Sequence, residues 1–251
     1  MKRKTMFWQL SAAMALVLAG AQAASAAGFE KLTKTGEEVL TTCNPDNNPY
    51  NTDCKVTSLP GLSGYSLIAS RSAPLIINEV TVGTVYEKVW RKTANPKVHI
   101  FGTKLTLNAD QWDSSGAAFN VNDVFRRTRP GKAVSVAYYP DGATKALQLA
   151  GRTVQGLNEY EEDEPERENT WVDFRIDANA ADPDGVSSAS SPWLLTKTRA
   201  PTGIVLNSFG LRVLNSEFED PFSAVELFTA AYEPEGVPPP EDDDDEEEEE
   251  D

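Results

Sequence analysis

The sequence predicts an all-β, mostly antiparallel chain: a β-sandwich or jelly-roll-like single domain followed by a disordered acidic C-terminal tail. Three observations carry this. Roughly ten short segments rich in β-branched and aromatic residues are separated by Gly, Pro, Asn and Asp turns, the spacing of a sandwich. Their connections are too short for the helical crossovers that parallel strands need. One segment, Trp171-Val-Asp-Phe-Arg-Ile-Asp177, alternates strictly between apolar and polar, the pattern of a strand with one buried face.

The N-terminal residues 1–27 read as a secretory signal peptide. Lys2, Arg3 and Lys4 form its basic start, Phe7 to Leu18 its apolar core, and Ala24-Ser25-Ala26 its cleavage site. Export to the periplasm, the cell surface or the medium is the expectation. No further hydrophobic run is long enough to span a bilayer, so no transmembrane segment is expected in the mature chain. The mature domain is placed at residues 28–232 and the Pro/Glu/Asp-rich tail at 233–251.

The chain carries a net charge of −16. Setting aside the eleven consecutive acids Glu241 to Asp251 and the three basic residues of the signal peptide still leaves a body at −8. Such a surface repels phosphate backbones and argues against nucleic acid as a partner, although local basic patches such as Arg126-Arg127-Thr128-Arg129 run counter to it.

Cys43 and Cys54 enclose ten residues that include two prolines and four asparagines. Two thiols without a neighbouring histidine make an incomplete zinc set. In an oxidising compartment they pair instead, and the bridge is worth about 2 to 3 kcal/mol on the loop-entropy account.

Along the chain, Gly28 to Thr42 reads as a short helix or a lead-in strand, and Leu59 to Ser72 as a stretch broken by Gly, Pro and Ser. Leu75 to Val82 and Thr84 to Arg91 read as strand around a bulge or bend at Gly83. Lys97–Phe101 and Lys104–Leu107 read as two extended pieces around Gly102. Phe119 to Arg126 fits a strand or a short helix capped by Asn122 or Asp123. Ala133–Tyr139 is a strand ended by Pro140-Asp141-Gly142, and Ala143 to Thr153 is a helical turn or an extended piece. Glu159 to Glu168, seven acids in ten residues, reads as an exposed loop. Trp193–Lys197, Gly203–Asn207, Leu211–Leu214 and Val225–Tyr232 complete the strands.

The candidate functional site is the loop after Trp171–Asp177. Asp177, Asn179, Asp182 and Asp184 place four oxygen-bearing side chains within eight residues, and calcium takes six to eight such ligands. The spacing is not that of an EF-hand. Two alanines interrupt it, and Val186-Ser-Ser-Ala-Ser-Ser191 supplies hydroxyls where that motif has a glutamate. The competing reading is turn chemistry, with Asp182-Pro183-Asp184-Gly185 bonding its own backbone.

Enzyme motifs are missing: there is no Gly-x-Ser-x-Gly elbow, no HExxH helix and no phosphate-binding glycine loop. His99 is the only histidine and reads as a structural residue. A carboxyl pair of the glycosidase kind, such as Asp173 with Glu217 or Glu219, leaves no local signature. Trp90, Trp112, Trp171 and Trp193 could stack a sugar or pack a core.

Four segments resemble the exported bacterial domains grouped as choice-of-anchor proteins: Val82-Gly-Thr-Val-Tyr86, Phe119-Asn-Val-Asn-Asp-Val-Phe-Arg126, Ala150-Gly-Arg-Thr153 with Gly156-Leu157, and Ser191-Pro-Trp193. The resemblance implies a secreted β-rich surface module with no assigned catalytic residues. Where such domains carry an apolar helix followed by basic residues, this chain has the polyacid.

The expected function is therefore an exported, non-catalytic binding or structural module, with calcium stabilising the Asp177 loop. A cell-surface component, a polysaccharide or a cationic protein is its expected partner. The alternative is a secreted carbohydrate-active enzyme or carbohydrate-binding domain that uses acidic residues and exposed Trp.

Overall fold

A computed structural model describes residues 28–36, 43, 54–62, 64–108, 118–141, 149–156, 169–180, 189–215 and 225–238. The described chain is all-β, with two antiparallel sheets packed face to face. Its strands are β1 (Glu30–Lys31), β2 (Tyr65–Ile77), β3 (Val80–Lys92), β4 (Val98–Leu107), β5 (Asn120–Arg127) and β6 (Ser135–Tyr139). They continue with β7 (Leu149–Gly151), β8 (Trp171–Asn179), β9 (Trp193–Arg199), β10 (Ile204–Asn215) and β11 (Val225–Pro234). The first sheet runs β1-β6-β9-β4-β3-β2 and the second β11-β10-β5-β8-β7.

Alternation decides which residues face the core. Val172, Phe174, Ile176 and Ala178 of β8 point inward with Val124 of β5 and Leu211 and Val213 of β10. They meet Val85, Leu105, Val136 and Leu194 of the other sheet. A second apolar cluster lies on the outer face of the first sheet. There Trp90, Ile100, Ala137, Trp193 and Leu195 are covered by Phe29, Val56, Leu59, Tyr65 and Tyr139. Sheets with one solvated face need a single apolar side; this one has two because the N-terminal segment lies across it. The Cys43–Cys54 disulfide, with Cα atoms 5.4 Å apart, holds that segment, and both cysteines are buried.

Several local expectations change in the structure. The stretch 59–72 is not broken throughout, because β2 already begins at Tyr65 after a single 3-10 turn at Pro60–Leu62. Pro74 sits within this strand, which its place at a sheet edge permits, since no neighbour on that side needs its missing N–H. The tract Leu75–Val82 is interrupted by a two-residue hairpin turn at Asn78 and Glu79, whose φ angles are 48° and 70°. The bulge expected at Gly83 is present, because the register slips between Leu75↔Gly83 and Ile76↔Thr81. A Cβ on Gly83 would lie 2.7 Å from the Thr106 carbonyl oxygen. The pieces around Gly102 form one strand, as a side chain there would meet the Trp90 ring at 2.8 Å. The expected strands Gly203–Asn207 and Leu211–Leu214 are likewise one bulged strand, Ile204–Asn215. Glu30–Lys31 and Asn120–Arg127 are strands rather than helix. β11 passes the expected boundary at Tyr232, and Glu233 is buried, with Asn207 donating to its carboxylate at 2.8 Å. The acidic run 159–168 lies outside the described residues.

Two buried arginines tie distant parts together. Arg126 points into the core from β5, where its Nη2 donates to Glu87 Oε1 at 2.6 Å, its Nε to Thr103 Oγ1 at 3.2 Å and its Nη1 to the Tyr232 carbonyl at 2.5 Å. Glu87 Oε1 also accepts the Tyr232 N–H at 3.3 Å, and Arg71 approaches Oε2 at 3.5 Å while donating to the Ala230 carbonyl. Strand β11 at the edge of one sheet is thus held by side chains of the other. Arg152 donates to the carbonyls of Thr33, Lys34, Lys132, Arg129 and Asn169 and to Thr128 Oγ1. It fastens the N-terminal segment to the β5–β6 connection and the approach to β8.

Removing one partner of a buried pair strands the other charge, at a cost of about 3 to 5 kcal/mol. Glu87→Ala should therefore lower stability by that amount in denaturant unfolding, while Glu87→Leu combined with Arg126→Met should recover most of it. A double variant that loses the sum of both single losses would contradict the coupling.

Candidate functional site: the outer face of the second sheet

The polar residues of β8 all project from the outer face of the second sheet, as the alternation requires. Asp177 and Asn179 lie two positions apart on that face, with Asn179 opposite Asn120 of β5. Both are half-buried, and each is already engaged in a polar interaction. Asp182 and Asp184 lie outside the described residues. Among the described residues no three His, Cys, Asp or Glu side chains converge on a point that could hold a metal. The serines at the loop's exit serve a different purpose. Ser191 Oγ accepts the Leu105 N–H at 2.9 Å and donates to the Pro192 carbonyl at 2.8 Å, and Ser190 and Thr106 share a hydroxyl hydrogen bond at 3.1 Å. These hydroxyls fix the exit to β4.

Farther along the same face two acids are cut off from solvent. Asp123 of β5 and Asp173 of β8 are both fully buried. Asp123 Oδ1 accepts Arg175 Nε at 2.8 Å. Arg212 of β10 lies over the Phe125 ring, its guanidinium carbon 4.6 Å from the centroid, donates to the Val154 carbonyl and pairs with Glu226. Neither oxygen of Asp173 receives a hydrogen bond. Burial pushes its carboxyl well above the ordinary carboxylate range, and the neighbouring Asp123 charge adds to this against the weaker pull of Arg175 and Arg212. Burial thus favours the neutral form of Asp173 beside the Asp123–Arg175 pair.

Asp173 lies on the face that alternation turns away from the core, and it is buried there all the same. That burial removes it from a glycosidase pair, since a carboxyl sealed from solvent has no access to a leaving group; Glu217 and Glu219 lie outside the described residues. Two of the tryptophans that could stack a sugar lie inside the fold. Trp90 and Trp193 are buried edge to face with centroids 6.4 Å apart, and Lys88 sits 4.8 Å over Trp193. Trp193 Nε1 also donates to Asp141. Trp171 is half-buried beneath Arg127, and Trp112 lies outside the described residues.

His99 is buried on the core side of β4 against Phe101, and burial lowers its pKa. It is structural. Arg126 and Arg127, expected as part of a basic surface run, are both buried. Sequence reasoning missed Asp123, Glu87, Arg126 and Arg152 as structural centres. The signal for Arg126 lay in its alternation with Val124, which puts it on the core face of β5.

A group whose folded pKa is raised gives stability that is complete below its unfolded value and lost as pH rises through the folded value. Asp173→Asn removes that loss. Its melting midpoint, relative to the natural chain, should rise steadily as pH increases from about 4 towards neutrality. A difference that stays constant with pH would contradict the buried proton.

No family model, no curated protein and no solved structure matches the chain, so the likeness to choice-of-anchor domains rests on the four quoted segments.

Proposed function

We propose that the chain is an exported, non-catalytic binding or structural module that works at the cell surface, in the periplasm or outside the cell. The observation that carries this reading is the buried Cys43–Cys54 disulfide that holds the N-terminal segment, because such bonds persist in oxidising compartments. The basic and apolar start of the sequence supports it. The burial of Asp123, Asp173 and His99 supports the non-catalytic part, since none of these groups can reach a substrate in solution.

Calcium is the proposed ligand of the loop after β8. Asp177 and Asn179 present oxygen ligands on one side of the strand end, and Asp182 and Asp184 follow within five residues. Calcium binding there would add stability where the sandwich edge gives way to loop. A polysaccharide, another surface component or a cationic protein remains the partner class.

Thermal unfolding of the full chain in EDTA and in millimolar calcium tests the ligand. At a hundred times its dissociation constant a ligand adds about 2.7 kcal/mol, which moves the midpoint by several degrees. The rise should vanish in Asp182→Asn combined with Asp184→Asn. An unchanged midpoint in the natural chain would leave the loop as turn chemistry.

A further inference from the structure

The strand register gathers exposed cations at one end of the sandwich. Arg91 and Lys92 close β3, Lys97 leads into β4, and Arg199 ends β9 directly opposite Val98. Lys132 lies in the connection before β6, whose first residue, Ser135, pairs with Lys197 near the end of β9. All five are exposed. The acids described at this end and open to solvent are Glu30 and Glu235, while Glu79, Asp141, Asp177 and Glu226 lie towards the opposite end. The described sandwich is therefore polarised along its strands, even though the chain as a whole is strongly acidic.

β11 delivers the chain to this cationic end. Pro234 pairs with Ile204, the Glu235 N–H donates to the Gly203 carbonyl at 3.1 Å, and a Cβ on Gly236 would lie 3.8 Å from Arg129 Nη2. The described residues stop at Pro238, and the eleven acids begin three positions later, after two more prolines. A polyproline spacer advances about 3.1 Å per residue, and an eleven-residue extended segment reaches about 35 Å. From Pro238 a chain of this length is long enough for the acids to reach these cations. A single exposed ion pair contributes little, but many like charges on a short tether act at a millimolar effective concentration.

We propose that the acidic segment Glu241–Asp251 docks in cis on the cationic end of its own sandwich, as an electrostatic clasp that masks an anion-binding surface. This goes beyond the proposed function and does not depend on calcium.

The test uses the full chain and a variant in which every acid from Glu241 to Asp251 is changed to Gln or Asn. The probe is a fluorescent peptide with the sequence of residues 239–251, followed by anisotropy in low salt. The neutral-tail variant should bind the peptide at least tenfold more tightly than the natural chain, whose surface is already occupied. Salt should abolish this binding, because the contacts are exposed and screened. Adding Arg91→Glu, Lys92→Glu and Arg199→Glu to the neutral-tail variant should cost at least tenfold, with Lys97→Glu and Lys132→Glu as a second set should the first unfold. Equal binding to both chains, or binding to neither, overturns the proposal. So does binding that emerges only when the acids of 159–168 are neutralised, or tail-dependent self-association in sedimentation, which would assign the surface to another segment or to a second copy.

Discussion

The buried ion pair between Glu87 and Arg126 is the constraint on which the relation of the two sheets depends. Apolar packing alone lets two sheets slide over one another, because dispersion and hydrophobic burial have no direction. A charge pair inside the sandwich does have direction. Its groups must find their partners or bear the cost of desolvation. Glu87 belongs to β3 of one sheet and Arg126 to β5 of the other, and both engage the backbone of Tyr232 at the edge strand β11. One carboxylate and one guanidinium therefore set the position of three strands. They also occupy backbone groups at an edge that could otherwise pair with another chain.

The same economy recurs outside the main core. Arg152 is fully buried, and its two Nη groups donate to carbonyl and hydroxyl oxygens of three separate segments. The planar guanidinium can do this because its five donors point outward in a fixed fork; a lysine could not reach so many acceptors. The disulfide and Leu32 of the N-terminal segment pack into the main core, while Phe29, Val56 and Leu59 of the same segment cover the outer face of the first sheet, where Trp90 and Trp193 form their own apolar cluster. The domain thus has three layers: the second sheet, the first sheet and, on its outer face, part of the N-terminal segment. The covering segment is why Trp90 and Trp193 are internal.

What could be read in the sequence follows from period and turn chemistry. The inward row of β8, the antiparallel order and the pairing of Cys43 with Cys54 need only local pattern, and all are present. The hairpin at Asn78–Glu79 was hidden because Leu75 to Val82 is β-rich on both sides of the turn. The early start of β2 was hidden because its residues Ser66, Ser70 and Ser72 are polar and much of the strand is exposed at a sheet edge. The candidate site was legible only in part. Alternation puts Asp173 and Asp177 on the outer face, but it does not say that the face is covered at Asp173 and more open at Asp177. Covering depends on Arg212 and on the segment around Val154, both distant in sequence. The buried arginines were misread for a related reason: a run of three basic residues within four positions resembles a surface patch unless strand alternation is carried through it.

The central claim is that the Glu87–Arg126 pair couples both sheets into one cooperative unit through β11. Native-state hydrogen exchange at the Tyr232 amide, followed across low denaturant, tests it most directly, since this N–H donates to Glu87. The account predicts that the amide exchanges only through global unfolding, with the same free energy and denaturant dependence as core amides of β4 such as Phe101. Exchange through a lower-energy opening in which β11 detaches while β4 stays protected would show that the pair does not hold the sheets together.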